Sequence, residues 1–220
     1  MRVMPKLATL IVVVVASLLS AQKMTCSALV FKGQKVEITE SGTTPDGVEP
    51  KGPAKICLVS SGTCFIPPNS EPQFGFSPEA KIVQLSPKQQ ALLFTAVASA
   101  SGSGSLTLLA LLDIRNGSLE NLLPDVRISE QGEYKIWNEP SISRTALVVT
   151  ADYLWGDGET HFSRHRFKIR TYAFGTSASR YDLRDEYLTS KKYPSLDEAD
   201  KITVLEQEKA EILARLRRQK

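Results

Sequence analysis

For most of its length the chain alternates apolar and polar positions at the period of a β-strand, and only its last segment has the period of a helix. Lys81–Leu85 and Ala91–Ala98 read as strands. Leu106–Ile114 is apolar at almost every position, which suits a strand buried on both faces of its sheet; a short helix is the alternative that pattern leaves open. Asn116-Gly117 then accepts the positive φ angles of a tight hairpin turn. Leu119, Leu122, Leu123 and Val126 predict another short strand, with a turn near Pro124-Asp125.

Nearer the start, Val30, Val36 and Ile38 predict a strand over Ala28–Thr39, interrupted at Gly33. Ser41–Pro53 is rich in Pro and Gly with almost nothing to bury, so it reads as a surface loop. The longest predicted hairpin has arms Thr145–Trp155 and His161–Phe174, turning at Gly156-Asp157-Gly158. Leu92–Ala96 and Val148–Ala151 resemble each other, and each precedes a Gly-rich turn. That faint repeat suggests stacked β-meanders rather than a propeller or solenoid.

The C-terminal segment opens on Ser195-Leu196-Asp197-Glu198, which fits a capping box. Acidic residues (Asp197, Glu198, Asp200) crowd its start and basic ones (Arg215, Arg217, Arg218, Lys220) its end, complementing a helix dipole. Asp197 with Lys201 and Glu211 with Arg215 are four apart in the favourable order. The apolar stripe Ile202, Leu205, Ile212, Leu216 is narrow and crossed by Lys209, so the helix packs one edge on its own domain or meets a partner helix. The expected architecture is mainly β, an antiparallel meander or sandwich-like domain with a C-terminal amphipathic α-helix. Its segments are a leader (1–21), N-terminal strands with a Pro/Gly-rich loop and a disulfide hairpin (22–78), the main β domain (79–194) and the helix (195–220).

The leader changes the picture most. Arg2 and Lys6 precede an apolar run from Leu7 to Leu19 and then Ser20-Ala21-Gln22, the form of an export signal cleaved near Ala21. The run falls short of the ~20 residues that span a bilayer. Retention of an uncleaved N-terminus, or lipid attachment at Cys26 despite its poor flanking residues, are the alternatives. The expected location is secreted or periplasmic. Removing Arg2 and Lys6 takes the 27 basic residues to 25 against 24 acidic ones, a net charge of +1. That is too weak a field to imply a nucleic-acid partner.

In an oxidising compartment Cys57 and Cys64, bracketing a turn at Ser60–Gly62, are expected to pair, leaving Cys26 over.

One stretch concentrates chemistry: Glu159-Thr160-His161-Phe162-Ser163-Arg164-His165-Arg166. On a continuous strand Glu159, His161, Ser163 and His165 share a face, and Arg164, Arg166, Lys168 and Arg170 line the opposite one. Glu159, His161 and His165 are therefore candidate ligands for a divalent metal in a hydrolase, with Asp152, Asp157 or Asp185 supplying a further carboxylate. Strand spacing opposes this, because residues four apart are ~13 Å apart at the backbone. The basic row is a candidate docking face for an acidic polymer or headgroup layer, although neighbouring acids neutralise part of it. Trp155, with Trp137, Tyr153, Tyr172 and Phe174, is a candidate aromatic platform for a sugar or peptide; such residues are more often core.

The chain has no Gly-x-Ser-x-Gly, His-Glu-x-x-His, phosphate-binding Gly-rich loop or Cys-x-x-Cys. The expected function is a non-catalytic binding or envelope-associated module without a cofactor, whose partner is a protein or glycan. Metal-assisted hydrolysis and helix-mediated self-association are the alternatives.

Overall fold

The computed structural model describes residues 26–68, 73–99, 105–129, 132–160, 162–175, 178–194 and 203–219. The expected leader (1–21) lies outside these residues. Three antiparallel meanders follow one another along the chain. The first joins β1 (Cys26–Phe31), β2 (Gln34–Thr39), β3 (Lys55–Leu58) and β4 (Cys64–Phe65). The second joins β5 (Phe76–Ser86), β6 (Gln89–Val97), β7 (Leu106–Arg115) and β8 (Ser118–Asn121), and β9 (Val126–Ser129) pairs with the other half of β7. The third joins β10 (Glu133–Trp137), β11 (Leu147–Leu154), β12 (Arg166–Gly175) and β13 (Arg180–Leu188), and α1 (Val204–Arg218) closes the chain.

The meanders stack as layers, and the middle one explains the densest apolar run. Leu108, Ala110 and Leu112 share a core with Phe31, Val36, Ile56 and Leu58 of the first sheet. Leu109 and Leu111, pointing the other way, share a second core with Val148, Tyr172 and Tyr181 of the third sheet. A strand sandwiched between two sheets has no solvent face, so alternation disappears from its sequence. β5 runs through residues 78 and 79, and the first core joins sheets on both sides of that boundary.

Local turn chemistry sets the registers. Phe31 pairs with Gln34 and Arg115 with Ser118, leaving Lys32-Gly33 (φ 48° and 74°) and Asn116-Gly117 (φ 48° and 77°) as two-residue turns. Positive φ at both positions matches the twist of the flanking strands. Ala28–Thr39 is accordingly a hairpin, not one interrupted strand: Gly33 reverses the chain. The expected disulfide is present, with Cys57 opposite Cys64 in the β3–β4 ladder.

The third layer faces α1. Leu205, Ile212 and Leu216 of the predicted stripe, joined by Val204 and Leu213, pack on Trp137, Leu147, Val149, Phe167 and Ile169. The helix starts later than its expected capping box. Thr203 is the N-cap, in extended conformation, and its side chain accepts from Glu206 N. Ser195–Lys201 and Ile202 lie outside the described residues. The three leading amides of α1 that lack an intrahelical acceptor are satisfied: Val204 N donates to Glu133 Oε1 at 2.6 Å, Leu205 N to Glu133 Oε2 at 3.3 Å and Glu206 N to Thr203 Oγ1 at 3.4 Å, and Gln207 N makes the first helical bond, to Thr203 O at 3.3 Å. The Glu133 carboxylate, buried on β10, thus serves as a cap from another layer.

Further polar contacts hold the helix along its length. Glu208 accepts from the hydroxyls of Tyr187 and Tyr193. Asp185 accepts from Arg215 Nε at 2.6 Å, and Lys209, which interrupts the stripe, reaches Glu139 at 2.8 Å. No helix among the described residues is long and apolar enough to cross a membrane.

Candidate functional site

The candidate chemistry collects where β11 gives way to β12. The pair Leu154 and Arg166 is the last of that ladder, so residues 155–165 form a connection rather than a three-residue turn between two long arms. Gly156–Gly158 does turn locally, with Glu159 N donating to Gly156 O at 3.1 Å. The chain then leaves β11 because the His165 backbone bonds Tyr193 instead, N to O at 2.9 Å and O from N at 2.8 Å. The strand-face expectation for Glu159, His161, Ser163 and His165 is corrected accordingly. Glu159 and Ser163 are loop residues, His161 lies outside the described residues, and two-residue alternation holds only from His165 onward, where His165, Phe167 and Ile169 are buried.

Glu159 and His165 nevertheless meet, through the fold of the loop. Glu159 Oε2 accepts from Gly156 N at 2.8 Å and from His165 Nδ1 at 2.8 Å, while Oε1 accepts from Lys192 Nζ at 2.5 Å. A side chain at residue 156 would collide with this carboxyl, since a Cβ there would lie 2.9 Å from Glu159 Cδ. The Lys192 ammonium, then the Gly156 amide and His165, hold the Glu159 carboxyl down to about 2. An ionised carboxylate only accepts, so His165 Nδ1 is the donor in this contact.

That leaves His165 Nε2 as the atom available for coordination or proton transfer, and it is walled in. The ring is fully buried, 5.1 Å from the Tyr153 ring and 5.3 Å from that of Trp155 by centroid, and Nε2 has no hydrogen-bond partner among the described residues. The same residues hold no group of three or more His, Cys, Asp and Glu placed for a metal. Asp152 accepts from Ser129, and Asp185 is taken by Arg215 and Gln219. The hydrogen bonds of Glu159 to Gly156, His165 and Lys192 brace the loop against the segment that carries Lys192.

Outside the brace the loop exposes Trp155, Phe162 and Arg164 together with the acidic Asp157. Trp155 is 49% exposed and Phe162 73%, on either side of Glu159 in sequence. Leu154 (38%) and Leu188 (43%) are exposed on the adjoining strands. Register places them beside the basic row, Leu154 opposite Arg166 and Leu188 opposite Lys168. Of that row, Arg170 pairs with Glu186 at 2.7 Å and Lys168 lies 4.0 Å from the same carboxylate. Arg166 donates to Ser190 O at 3.2 Å, and Arg164 is an exposed loop residue rather than part of a strand ladder. Positive charge is thus concentrated at Arg164 and Arg166. The wider aromatic platform does not form: Trp137, Tyr153 and Tyr172 are core, and Phe174 packs against the second core.

Lys192, Tyr193, Phe162 and Leu188 were absent from the sequence-derived candidates. Phe162 alone carried a local signal, an aromatic residue within a run of polar and charged ones. The others come from distant segments. Neither a protein-family model, nor a curated protein sequence, nor a solved structure matches the chain.

Proposed function

We propose that the protein is an exported, non-catalytic, envelope-associated binding module whose contact surface is the braced 155–165 loop with the adjoining ends of β11, β12 and β13. The observation that carries this reading is the pairing of rigidity with exposure. Glu159 fixes the loop from within by bonds to Gly156, His165 and Lys192, while Trp155 and Phe162 remain turned to solvent. Holding large apolar groups in water is unfavourable by ~25 cal/mol per Å² of exposed apolar surface, and two exposed aromatic side chains on one loop suit a surface that a partner covers. The Cys57–Cys64 disulfide supports export, because such bonds persist in oxidising compartments. The enclosed His165 Nε2 supports a binding role over hydrolysis.

The test is expression with the native leader, followed by cell fractionation and intact-mass analysis of wild type and of the double variant F162E/R164E. Under this reading the mature protein carries an oxidised Cys57–Cys64 pair and stays with the envelope, whereas the variant, still oxidised and folded, is released to the soluble fraction. Reduced Cys57 and Cys64 in the cytoplasm, or identical partitioning of the two proteins, overturns it.

A further inference from the structure

We infer that the partner of this surface is an anionic lipid bilayer, with Phe162, Trp155, Leu154 and Leu188 entering the headgroup boundary and Arg164 and Arg166 pairing with lipid phosphates; this rests on the binding-module reading above.

Three features select lipid from among acidic partners. First, the apolar members are of two kinds. Aromatic rings alone suit stacking on a sugar, but exposed Leu154 and Leu188 gain nothing from a carbohydrate face and do gain from acyl chains. Second, the arrangement is interleaved: Leu154 sits opposite Arg166 and Leu188 opposite Lys168, so cations border the apolar groups across the strands. Side chains of this sort combine an apolar anchor with a charged head at headgroup level, where Trp is also favoured. Third, the charge is of the complementary sign: among the described residues Arg166 donates to the Ser190 carbonyl and forms no ion pair, and Arg164 is exposed on the loop.

Among the described acidic residues nearby, Asp157 is exposed in the same loop and offsets part of this charge, and the others are directed elsewhere. Glu159 is directed inward onto Lys192 and His165, and Asp152 onto Ser129. Glu186 serves Lys168 and Arg170, further along the strand from the loop. The brace matters for affinity because a loop already ordered gives up little conformational freedom on docking.

The experiment is co-sedimentation of the full mature chain with vesicles of phosphatidylcholine alone and of phosphatidylcholine mixed with phosphatidylglycerol, at low and high salt. Wild type binds the anionic vesicles and is weakened by salt. Each basic residue near an anionic surface contributes roughly fivefold in affinity, so R164A/R166A is expected to weaken binding about 25-fold. F162A, at the most exposed position, weakens binding at both salt concentrations, and near-ultraviolet circular dichroism shows that these variants fold. Lack of binding to anionic vesicles, or binding unchanged in R164A/R166A and F162A, overturns the lipid assignment. If vesicle binding fails while envelope retention still depends on Phe162 and Arg164, the lipid assignment falls and the binding-module reading stands. If retention is independent of both residues, the binding-module reading falls.

Discussion

Replacing Glu133 tests whether a carboxylate from the sheet holds the start of α1. Its two oxygens accept from Val204 N at 2.6 Å and Leu205 N at 3.3 Å in a buried setting. A hydrogen bond to a charged group contributes ~1.5–3 kcal/mol, and the longer contact is the weaker, so loss of both in E133A costs about 3 kcal/mol. E133Q keeps one acceptor but gives up the charge facing the helix N-terminus, an effect of ~0.5–2 kcal/mol, and its cost is about half that of E133A. Urea unfolding reads these values as shifts in midpoint at constant slope. In thermal unfolding a loss of 3 kcal/mol corresponds to ~6–12 °C for a chain of this size. Hydrogen exchange gives the local readout, with the first-turn amides of α1 losing protection before those of β11. A cost below about 1 kcal/mol for E133A, or equal costs for the two variants, would show that water or Thr203 serves these amides equally well and would refute the capping argument.

Glu159 titrates at about 2, well below its ordinary 4.5, chiefly because of Lys192. Its carboxylate therefore stabilises the loop above the ordinary value, and this contribution is lost as pH falls from 4.5 through about 2. Carboxyl carbon shifts in NMR follow this directly, and K192A is expected to move the midpoint upward; an unmoved midpoint refutes the assigned cause. The Tyr187 and Tyr193 phenols are raised by burial first and by Glu208 second, so their contribution is present below the ordinary value of 10.0 and is lost as pH rises beyond it. Phenolate absorbance should show both ionising earlier in E208Q. Replacing Cys57 and Cys64 with Ser removes a crosslink between residues 7 apart, and the chain-entropy relation gives a cost of about 2.5 kcal/mol by urea unfolding. In I212A, truncation of a fully buried side chain costs ~2–5 kcal/mol, and protection is lost in α1 before the first sheet.

What the sequence determined by itself was local. Asn116-Gly117 specified a hairpin because few residues tolerate two successive positive φ angles. The run around Leu106–Ile114 announced burial on both faces, and the spacing of Cys57 and Cys64 announced their bond. Each signal is contained within a dozen residues. The capping box expected at Ser195 lies outside the described residues, and only the backbone at Thr203 shows where α1 starts. Tertiary structure decided the rest. Strand parity from Glu159 to His165 assumed a ladder that stops at Leu154, because the His165 backbone pairs with Tyr193 instead of continuing along β11. Glu133 capping α1 and Lys192 neutralising Glu159 join residues far apart in the chain. A hydrogen bond depends on angstroms in space, and separation along the sequence carries no record of them until the layers have packed.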